Sequence, residues 1–195
     1  MREVVLDTET TGLDPGEGHR VVEIGCIELI NHIPTGEVFH TYLNPERSMP
    51  HEALAVHGLD GEFLAKQPLF ADVANAFVDF VVGSTLVIHN ASFDLKFINS
   101  ELRLAGHAGL ELEKVIDTLE VAHHKFPGAP ASLDALCRRF GIDNSDRTKH
   151  GALLDAELLS CVYIELIGGR QTALGLRQEP ALSVAAVADE IAARP

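Results

Sequence analysis

A short apolar run near the start of the chain, Val4-Val5-Leu6, leads directly into two acids, Asp7 and Glu9. An uninterrupted run of this kind is typical of a strand that is buried on both faces of a sheet. Side chains two positions apart on a strand leave the same face, so the two carboxylates are expected to lie side by side. This feature predicts an α/β sheet whose buried strand ends in a pair of acids.

The rest of the chain supplies the elements that such a sheet requires. Segments 21–29 and 37–43 are strand-like, and the breaker Pro34-Thr35-Gly36 between them predicts the turn of an antiparallel meander. Apolar runs at 85–89 and 115–117 bring the predicted strands to five. Apolar spacing predicts the longer helices over about 70–82, 92–106, 132–141 and 152–167, with Ser92 and Ser132 as N-caps and short helices within 45–68.

Length and composition fit one domain followed by a tail. We expect residues 1–169 to form the domain and residues 170–195 a linker and partner-binding segment, with a core that a chain of 195 residues can fill. The cysteines lie far apart in apolar segments, which favours core thiols over a disulfide or metal site at Cys26, Cys137 and Cys161.

The charge balance limits the kind of nucleic-acid contact that the chain can make. Its formal net charge is −14, from 29 acidic and 15 basic side chains. This charge argues against wrapping a long duplex through phosphate neutralisation. It is compatible with gripping a strand end, because bound divalent cations can supply positive charge locally.

The sequence also bears on location. No apolar run approaches the ~20 residues that span a bilayer, and the start of the chain lacks the basic region and longer apolar stretch of a secretory signal. We therefore expect a cytoplasmic protein with no membrane partner.

Two more acids join the first pair at corresponding places in the predicted fold. Asp94 follows the strand that ends at His89, and Asp155 lies in the first turn of the last long helix. Each acid alone has an ordinary explanation, because Asp7 and Glu9 could begin a solvated turn and the other two could favour a helix dipole. Four acids at strand ends and helix starts nevertheless converge on one edge of an α/β sheet, and this favours a cluster that binds two divalent cations.

His150 precedes Asp155 by five residues, so the two would lie ~140° apart on an ideal helix. We therefore expect His150 in the loop just before the helix, with Gly151 as the pivot. A histidine in a loop is usually only solvated. Beside a metal cluster it is a candidate general base, because an imidazole ordinarily titrates near pH ~6.5.

These residues, in this order, resemble the DEDDh superfamily of 3′–5′ exonucleases. The matching segments are Asp7-Thr8-Glu9-Thr10-Thr11-Gly12, His89-Asn90-Ala91-Ser92-Phe93-Asp94 and His150-Gly151-Ala152-Leu153-Leu154-Asp155-Ala156. Further segments are similar to the proofreading epsilon subunits of bacterial DNA polymerase III: Ser132-Leu133-Asp134-Ala135-Leu136-Cys137, Phe140-Gly141-Ile142 and Gly168-Gly169-Arg170-Gln171-Thr172. The resemblance covers about residues 1–176.

The resemblance implies a fold, an activity and a set of site residues. The fold is RNase H-like, a five-stranded mixed sheet flanked by helices. The activity is two-metal hydrolysis of terminal nucleotides from single-stranded or frayed DNA ends, with Mg²⁺ or Mn²⁺, in replication proofreading. The metal-binding and catalytic acids would be Asp7, Glu9, Asp94 and Asp155, and His150 would deprotonate the attacking water. The terminal nucleotide would contact Asp7, Glu9, Thr10, Glu52, His57, His89, Asn90, Phe93 and Asp155.

The tail suggests partners within a replisome. Gln171-Thr172-Ala173-Leu174-Gly175-Leu176 resembles a motif that contacts the sliding clamp, although Leu176 stands where an aromatic residue is common. The segment beyond it would anchor the chain to the catalytic alpha subunit of the polymerase. Apolar residues in 182–191 suit that role, and the chain stops at Pro195.

Three alternatives stay open at this point. The first is a nuclease of the same superfamily that acts on RNA ends or short oligonucleotides. The second is a non-catalytic subunit that stabilises a polymerase through its tail. The third is a metal-dependent phosphatase that acts on small phosphoesters.

Overall fold

The computed structural model describes residues 1–110, 114–145 and 147–168. Within them, five strands form one mixed sheet in the order β3-β2-β1-β4-β5. Strand β1 pairs antiparallel with β2 and parallel with β4, β2 pairs antiparallel with β3, and β4 pairs parallel with β5. The strand bounds are β1 Arg2–Thr10, β2 Val21–Ile30, β3 Ile33–Tyr42, β4 Thr85–Ile88 and β5 Val115–Asp117. The predicted fold class and the meander are confirmed.

Helices cover both faces of this sheet. The described residues hold α1 His51–His57, α2 Gly61–Leu64, α3 Phe70–Val81, α4 Ala91–Leu104, α5 Thr118–Lys125, α6 Leu133–Phe140 and α7 Ala152–Leu166, together with a single-turn 3-10 helix at Pro15–Glu17. Ser132 caps α6 by accepting from Ala135 N, as predicted. None of the helices in the described ranges is long and apolar enough to cross a membrane.

The central strand β1 is buried on both faces, as its apolar run predicts. Val4 and Leu6 pack into one core with α3 and α4, whereas Val5 packs into a second core with α5, α6 and α7. All three side chains are at most 1% exposed. The side chains therefore alternate between two helical layers, and Asp7 and Glu9 continue the face that α7 covers.

The hairpin between β2 and β3 corrects the predicted turn. The chain reverses at Asn31 and His32, which both adopt positive φ angles, 50° and 66°. Pro34, Thr35 and Gly36 lie inside β3 instead of forming the turn. A proline is tolerated there because β3 is an edge strand, where a missing N–H removes no ladder bond.

Gly25 on β2 sets how closely helix α7 approaches the sheet. It lies opposite Asp7 in the β1–β2 register. A Cβ atom on Gly25 would lie 2.4 Å from the backbone of Ala152 and Leu153, at the start of α7. Only glycine allows this approach, which brings the first turn of α7 beside the acids of β1.

The cysteine prediction holds at two positions and is wrong at the third. Cys26 and Cys137 are buried, whereas Cys161 is exposed on α7. The residues before and after it are buried. The helix is apolar around most of its circumference, so apolar neighbours in sequence do not identify which side faces the core.

Candidate active site

Strand β1 and helix α7 bring three of the predicted residues together. Ligand atoms of Glu9, His150 and Asp155 all lie within 4.8 Å of one another, close enough for one cation. A shift in the β1–β2 register falls between Glu9 and Thr10. Such irregularities turn side chains locally and are common beside active sites.

Asp94 comes from the other side of the sheet edge. It is 3% exposed in the first turn of α4, and its Oδ1 accepts a hydrogen bond of 2.7 Å from the Thr8 hydroxyl. Thr8 lies between Asp7 and Glu9 and points to the opposite face of β1. Strand β1 therefore carries two carboxylates on one face and binds the carboxylate of Asp94 through Thr8 on the other. Asp7 and Asp94 line the same cavity as Asp155, although they lie outside the tight group of three.

The start of α4 is capped differently from the sequence prediction. Ser92 lies inside the helix, and the N-cap is Asn90 with a φ of 64°. Asp117 at the end of β5 accepts from Asn90 N at 3.0 Å and from Ala91 N at 2.9 Å. Asn90 thus takes a left-handed conformation that asparagine tolerates, and a carboxylate from the neighbouring strand satisfies the helix end.

Burial raises the pKa values of Glu9, Asp94 and Asp7, and repulsion from neighbouring acids adds to it. The pKa of Glu9 rises to about 8, chiefly by burial and then by repulsion from Asp155. Burial raises the pKa of Asp94 to about 7. The pKa of Asp7 lies well above its ordinary value for the same reason, with repulsion from Asp94 and Asp155 added. Buried carboxylates that repel one another are suitable ligands for a hard divalent cation. Such a cation would offset both the cost of burying the charges and their mutual repulsion.

One basic side chain already enters this group. The guanidinium of Arg147 donates to Asp155 from Nε to Oδ1 at 2.5 Å and from Nη2 to Oδ2 at 2.6 Å. Its Nη1 donates to Asp134 Oδ1 at 2.9 Å, and its Nη2 lies 2.8 Å from His150 Nδ1. Arg147 lowers the pKa of Asp7 and of Glu9, but both remain raised.

These groups line one cavity of about 540 Å³, which we call the acid cavity. It contains the four predicted acids, His150, His89, Asn90 and Phe93, and also Asp134 and Arg147. The predicted metal and base residues are therefore assembled in one place.

A second cavity of about 440 Å³, the side pocket, opens beside the acid cavity. The two share Thr8, Glu9 and Phe93. The side pocket also contains Thr10, Glu52 and His57, which the sequence assigned to the terminal nucleotide. The predicted residues thus divide between a charged compartment and a more apolar one.

A buried histidine, His57, and a half-buried one, His89, border the cavities. His57 accepts from Leu59 N at Nδ1, and its Nε2 lies toward the backbone of Thr10 without hydrogen-bonding geometry. The Nδ1 of His89 lies 2.9 Å from the Thr118 hydroxyl. Burial lowers the pKa of both imidazoles, so both favour the neutral form.

His150 lies in the loop before α7, as predicted, and this loop is fastened to α1. The backbone N of His150 donates to Val56 O at 3.2 Å, and Lys149 Nζ donates to Ala55 O at 3.0 Å. Helix α1 also carries Glu52 into the side pocket. The candidate base and the side pocket are therefore supported by the same helix.

Sequence reasoning missed three residues of the site. Asp117 lies at the end of a predicted strand, and this position is the one sequence feature that could have identified it as a site residue. Asp134 reads as an ordinary first-turn acid of α6, and Arg147 carries no local signal at all. Their roles arise from contacts with residues distant in sequence, such as Asp117 with Asn90.

Comparison with known proteins agrees with this geometry. Residues 4–163 match the family model RNase_T, whose description is Exonuclease. The chain is 56% identical over 183 residues to the DNA polymerase III subunit epsilon of Rickettsia prowazekii (strain Madrid E), covering 92% of this chain and 80% of that protein. It is 48% identical over 185 residues to the subunit epsilon of Escherichia coli (strain K12), covering 91% and 76%.

Solved structures share the fold. The nuclease domain of 3′hExo, a DEDDh family member bound to rAMP, has a TM-score of 0.73 at 18% identity, covering 87% of this chain and 92% of that chain. Exonuclease X in complex with 5′ overhanging duplex DNA has a TM-score of 0.67 at 24% identity, covering 86% and 92%.

Proposed function

Because the chain belongs to the exonuclease family and, within it, to the epsilon subunits of DNA polymerase III, we propose that its acid cavity hydrolyses the last phosphodiester bond at a DNA 3′ end. The chain is a 3′–5′ exonuclease of DNA replication, and its family implies divalent metal ions. The observation that supports the assignment to this cavity is the convergence of four buried or half-buried acids with His150.

The metal-binding residues of this proposal are Asp7, Glu9, Asp94 and Asp155. Their carboxylate oxygens are the ligands that Mg²⁺ and Mn²⁺ prefer, and the raised pKa values of Asp7, Glu9 and Asp94 support a bound cation that supplies compensating charge. Two cations fit the number of acids. When bound, such ions lower the pKa of a water and stabilise charge on the leaving 3′ oxygen.

The protein's own part in hydrolysis is to move a proton and hold the strand end. His150 would accept the proton of the attacking water, so it must be neutral to act. Its place beside Glu9 and Asp155 keeps it within reach of a water at the acids. The backbone bond from His150 N to Val56 O holds this part of the loop against α1.

The side pocket would hold the terminal nucleotide. Phe93 lies between the two cavities and can pack against a base or sugar, while Thr10, Glu52 and His57 offer polar contacts. His89 and Asn90 would contact the nucleotide from the acid cavity. A mismatched end unpairs at lower cost, a difference of about a few kcal/mol, and so reaches a buried site more often. Proofreading then needs no contact that identifies the base.

The proposed partners are those of a replisome subunit in the cytoplasm. Association with DNA polymerase III would use the tail at 170–195, with clamp contact through Gln171–Leu176. Both segments, and the predicted domain boundary at 169, lie outside the described residues. The contacts with the alpha subunit and the clamp therefore stay predictions.

A labelled DNA strand tests the activity and its location together. Wild-type protein with Mg²⁺ or Mn²⁺ is expected to release the labelled 3′-terminal nucleotide from single-stranded DNA, and a chelator should abolish the release. Asp7→Ala should lose both metal binding and activity, because it removes one of the acids of the cavity. Release that persists in chelator, or cleavage at internal positions, would contradict the proposal.

Comparison of DNA and RNA of the same sequence separates the closest alternative. The proposed enzyme is expected to cleave single-stranded DNA faster than RNA in the same buffer. Faster cleavage of RNA would favour the exoribonuclease alternative and leave the location of the site unchanged.

A further inference from the structure

Arg147 is a cation that the chain itself places in the acid cavity. Its side chain is 8% exposed, and its planar guanidinium faces both oxygens of Asp155 at 2.5 Å and 2.6 Å. Paired donors in one plane match a carboxylate and bind it more strongly than single neutral hydrogen bonds. Asp155 therefore directs both oxygens toward an arginine in a cavity where we have assigned it to a metal.

We propose that Arg147 is a positioning residue that holds Asp155 and His150 in the metal-free protein and gives up Asp155 when a divalent cation binds. The inference rests on the proposed metal site. Before metal binds, Arg147 would supply the positive charge that the buried carboxylate of Asp155 needs. This role also explains the contact of 2.8 Å with His150 Nδ1, which places the candidate base before the metal arrives.

Asp134 makes the exchange possible. It accepts from Arg147 Nη1 at 2.9 Å, and its side chain is 43% exposed, whereas that of Asp155 is 4% exposed. Asn144 donates to the same oxygen at 2.9 Å and holds Asp134 in place. The Arg147 guanidinium can therefore leave Asp155 and remain paired with the more exposed Asp134. One cation replaces another at Asp155, so the buried carboxylate is compensated in both states.

Mn²⁺ affinity, measured by calorimetry without nucleotide, tests this competition. Arg147→Gln is expected to bind Mn²⁺ about tenfold more tightly, because a charged hydrogen-bonded pair no longer has to be broken. Metal-free Arg147→Gln should also unfold at a lower temperature than wild type. Unchanged or weaker Mn²⁺ binding by this variant would overturn the inference, because it would leave Arg147 as a purely structural residue.

Arg147→Lys separates the paired geometry from simple charge. Lysine keeps the positive charge but cannot present two coplanar donors, so Mn²⁺ binding is expected to tighten about threefold. If the arginine acted only by long-range repulsion of the metal, the lysine variant would bind like wild type, and the exchange would be wrong. This milder variant also keeps the test decisive if Arg147→Gln does not fold.

Asp134→Asn tests where the guanidinium goes. In the wild-type background it should weaken Mn²⁺ binding about threefold, because the displaced arginine loses its second partner. In the Arg147→Gln background it should have no effect. Equal effects in both backgrounds would show that Asp134 acts without Arg147 and would overturn the exchange.

Two controls keep this inference apart from the metal site on which it rests. Arg20→Gln removes another arginine from a bidentate carboxylate pair and should leave Mn²⁺ affinity unchanged. Asp155→Asn should weaken Mn²⁺ binding at least about tenfold. If it does not, the proposed metal site fails; if it does while Arg147→Gln shows no tightening, only the inference about Arg147 fails.

Discussion

Two arginines in this protein grip a buried carboxylate with the same pair of nitrogens, yet their surroundings differ. Arg20 donates to Glu101 from Nε at 2.7 Å and from Nη2 at 2.8 Å, and Glu101 also accepts from Val21 N at 3.2 Å. This pair joins α4 to the start of β2. The second pair, Arg147 with Asp155, sits among further acids that it does not neutralise.

The difference between the two pairs distinguishes charges that only stabilise the fold from charges that are available for a function. At Glu101 the acid is matched by its arginine and a backbone N–H, so the pair is complete within the fold. At Asp155 the acids outnumber the single arginine, and Glu9 keeps a pKa of about 8. An excess of buried acid is costly to the fold alone and fits the cation site proposed for the acid cavity.

The largest expected contrast comes from removing the carboxylate charge at each pair. Asp155→Asn should lower the rate of 3′-nucleotide release at least about a thousandfold, because one of the proposed metal ligands is lost. Glu101→Gln should leave the rate per folded molecule unchanged and lower the free energy of unfolding by about 3 kcal/mol, since Arg20 then keeps only the exposed carboxylate of Glu46, 3.8 Å away, as an ionic partner. Single-turnover hydrolysis and denaturant unfolding measure the two effects.

His150→Ala tests whether the charge of the acid cavity and its proton acceptor are separate functions. The variant should bind Mn²⁺ with nearly wild-type affinity and lose rate about a hundredfold to a thousandfold, the usual contribution of a general base. Wild-type activity should fall in acid, because a protonated imidazole can no longer accept the proton of the attacking water. A flat wild-type rate from pH 5 to pH 8 would contradict this role.

Gly25→Ala tests the close packing that brings α7 to β1. The added Cβ would meet the backbone of Ala152 and Leu153 at 2.4 Å, so the first turn of α7 must move. We expect a loss of about 2 kcal/mol in stability and about tenfold to a hundredfold in rate, since Asp155 shifts with the helix. Gly61→Ala is the matched control, because nothing lies within 4 Å of its added Cβ, and its rate should be unchanged.

The smallest expected effect is on the melting temperature Tm, which Glu9→Gln should raise and Glu101→Gln should lower. The folded-state pKa of Glu9 is raised from 4.5 to about 8, so folded protein binds the proton more tightly than unfolded chain. The metal-free protein therefore loses stability through Glu9 as the pH rises across that range. Glu9→Gln should raise the metal-free Tm by a few degrees at pH 8 and less at pH 5, about 3 °C per kcal/mol.

Glu101→Gln should lower the Tm under the same conditions, because Glu101 is matched by Arg20. Thermal unfolding of the three proteins in chelator, at pH 5 and pH 8, measures the difference. A Glu9→Gln protein that is less stable than wild type at pH 8 would remove the distinction between the two regions.

The elements and the predicted acids of the acid cavity could be placed from sequence because their signals are local, whereas the residues predicted to contact the nucleotide, such as Glu52 and His57, came from the family resemblance. The apolar run at Val4 to Leu6 follows from burial on two faces, and the end of α6 follows from Gly141 in the left-handed conformation. Asp7 and Glu9 were found because a strand with period two places them on one face. Each of these inferences uses residues that are neighbours in the chain.

The remaining features depend on contacts between distant segments. The cap of α4 was assigned to Ser92 because the real partner, Asp117, belongs to another strand. The turn was placed at 34–36 because the edge position of β3, which tolerates Pro34, is a property of the sheet. Arg147 was missed for the same reason, since its partners on α6 and α7 come together only in the folded chain.

The contact between β1 and α7 sets when the enzyme can first become active. A ribosome releases β1 at the start of synthesis and α7 only after most of the domain has been made. Until then Asp7 and Glu9 have no Asp155, His150 or Arg147 beside them. A nascent chain that lacks α7 is therefore expected not to cut DNA, and nuclease activity is expected to appear only once α7 packs against the sheet.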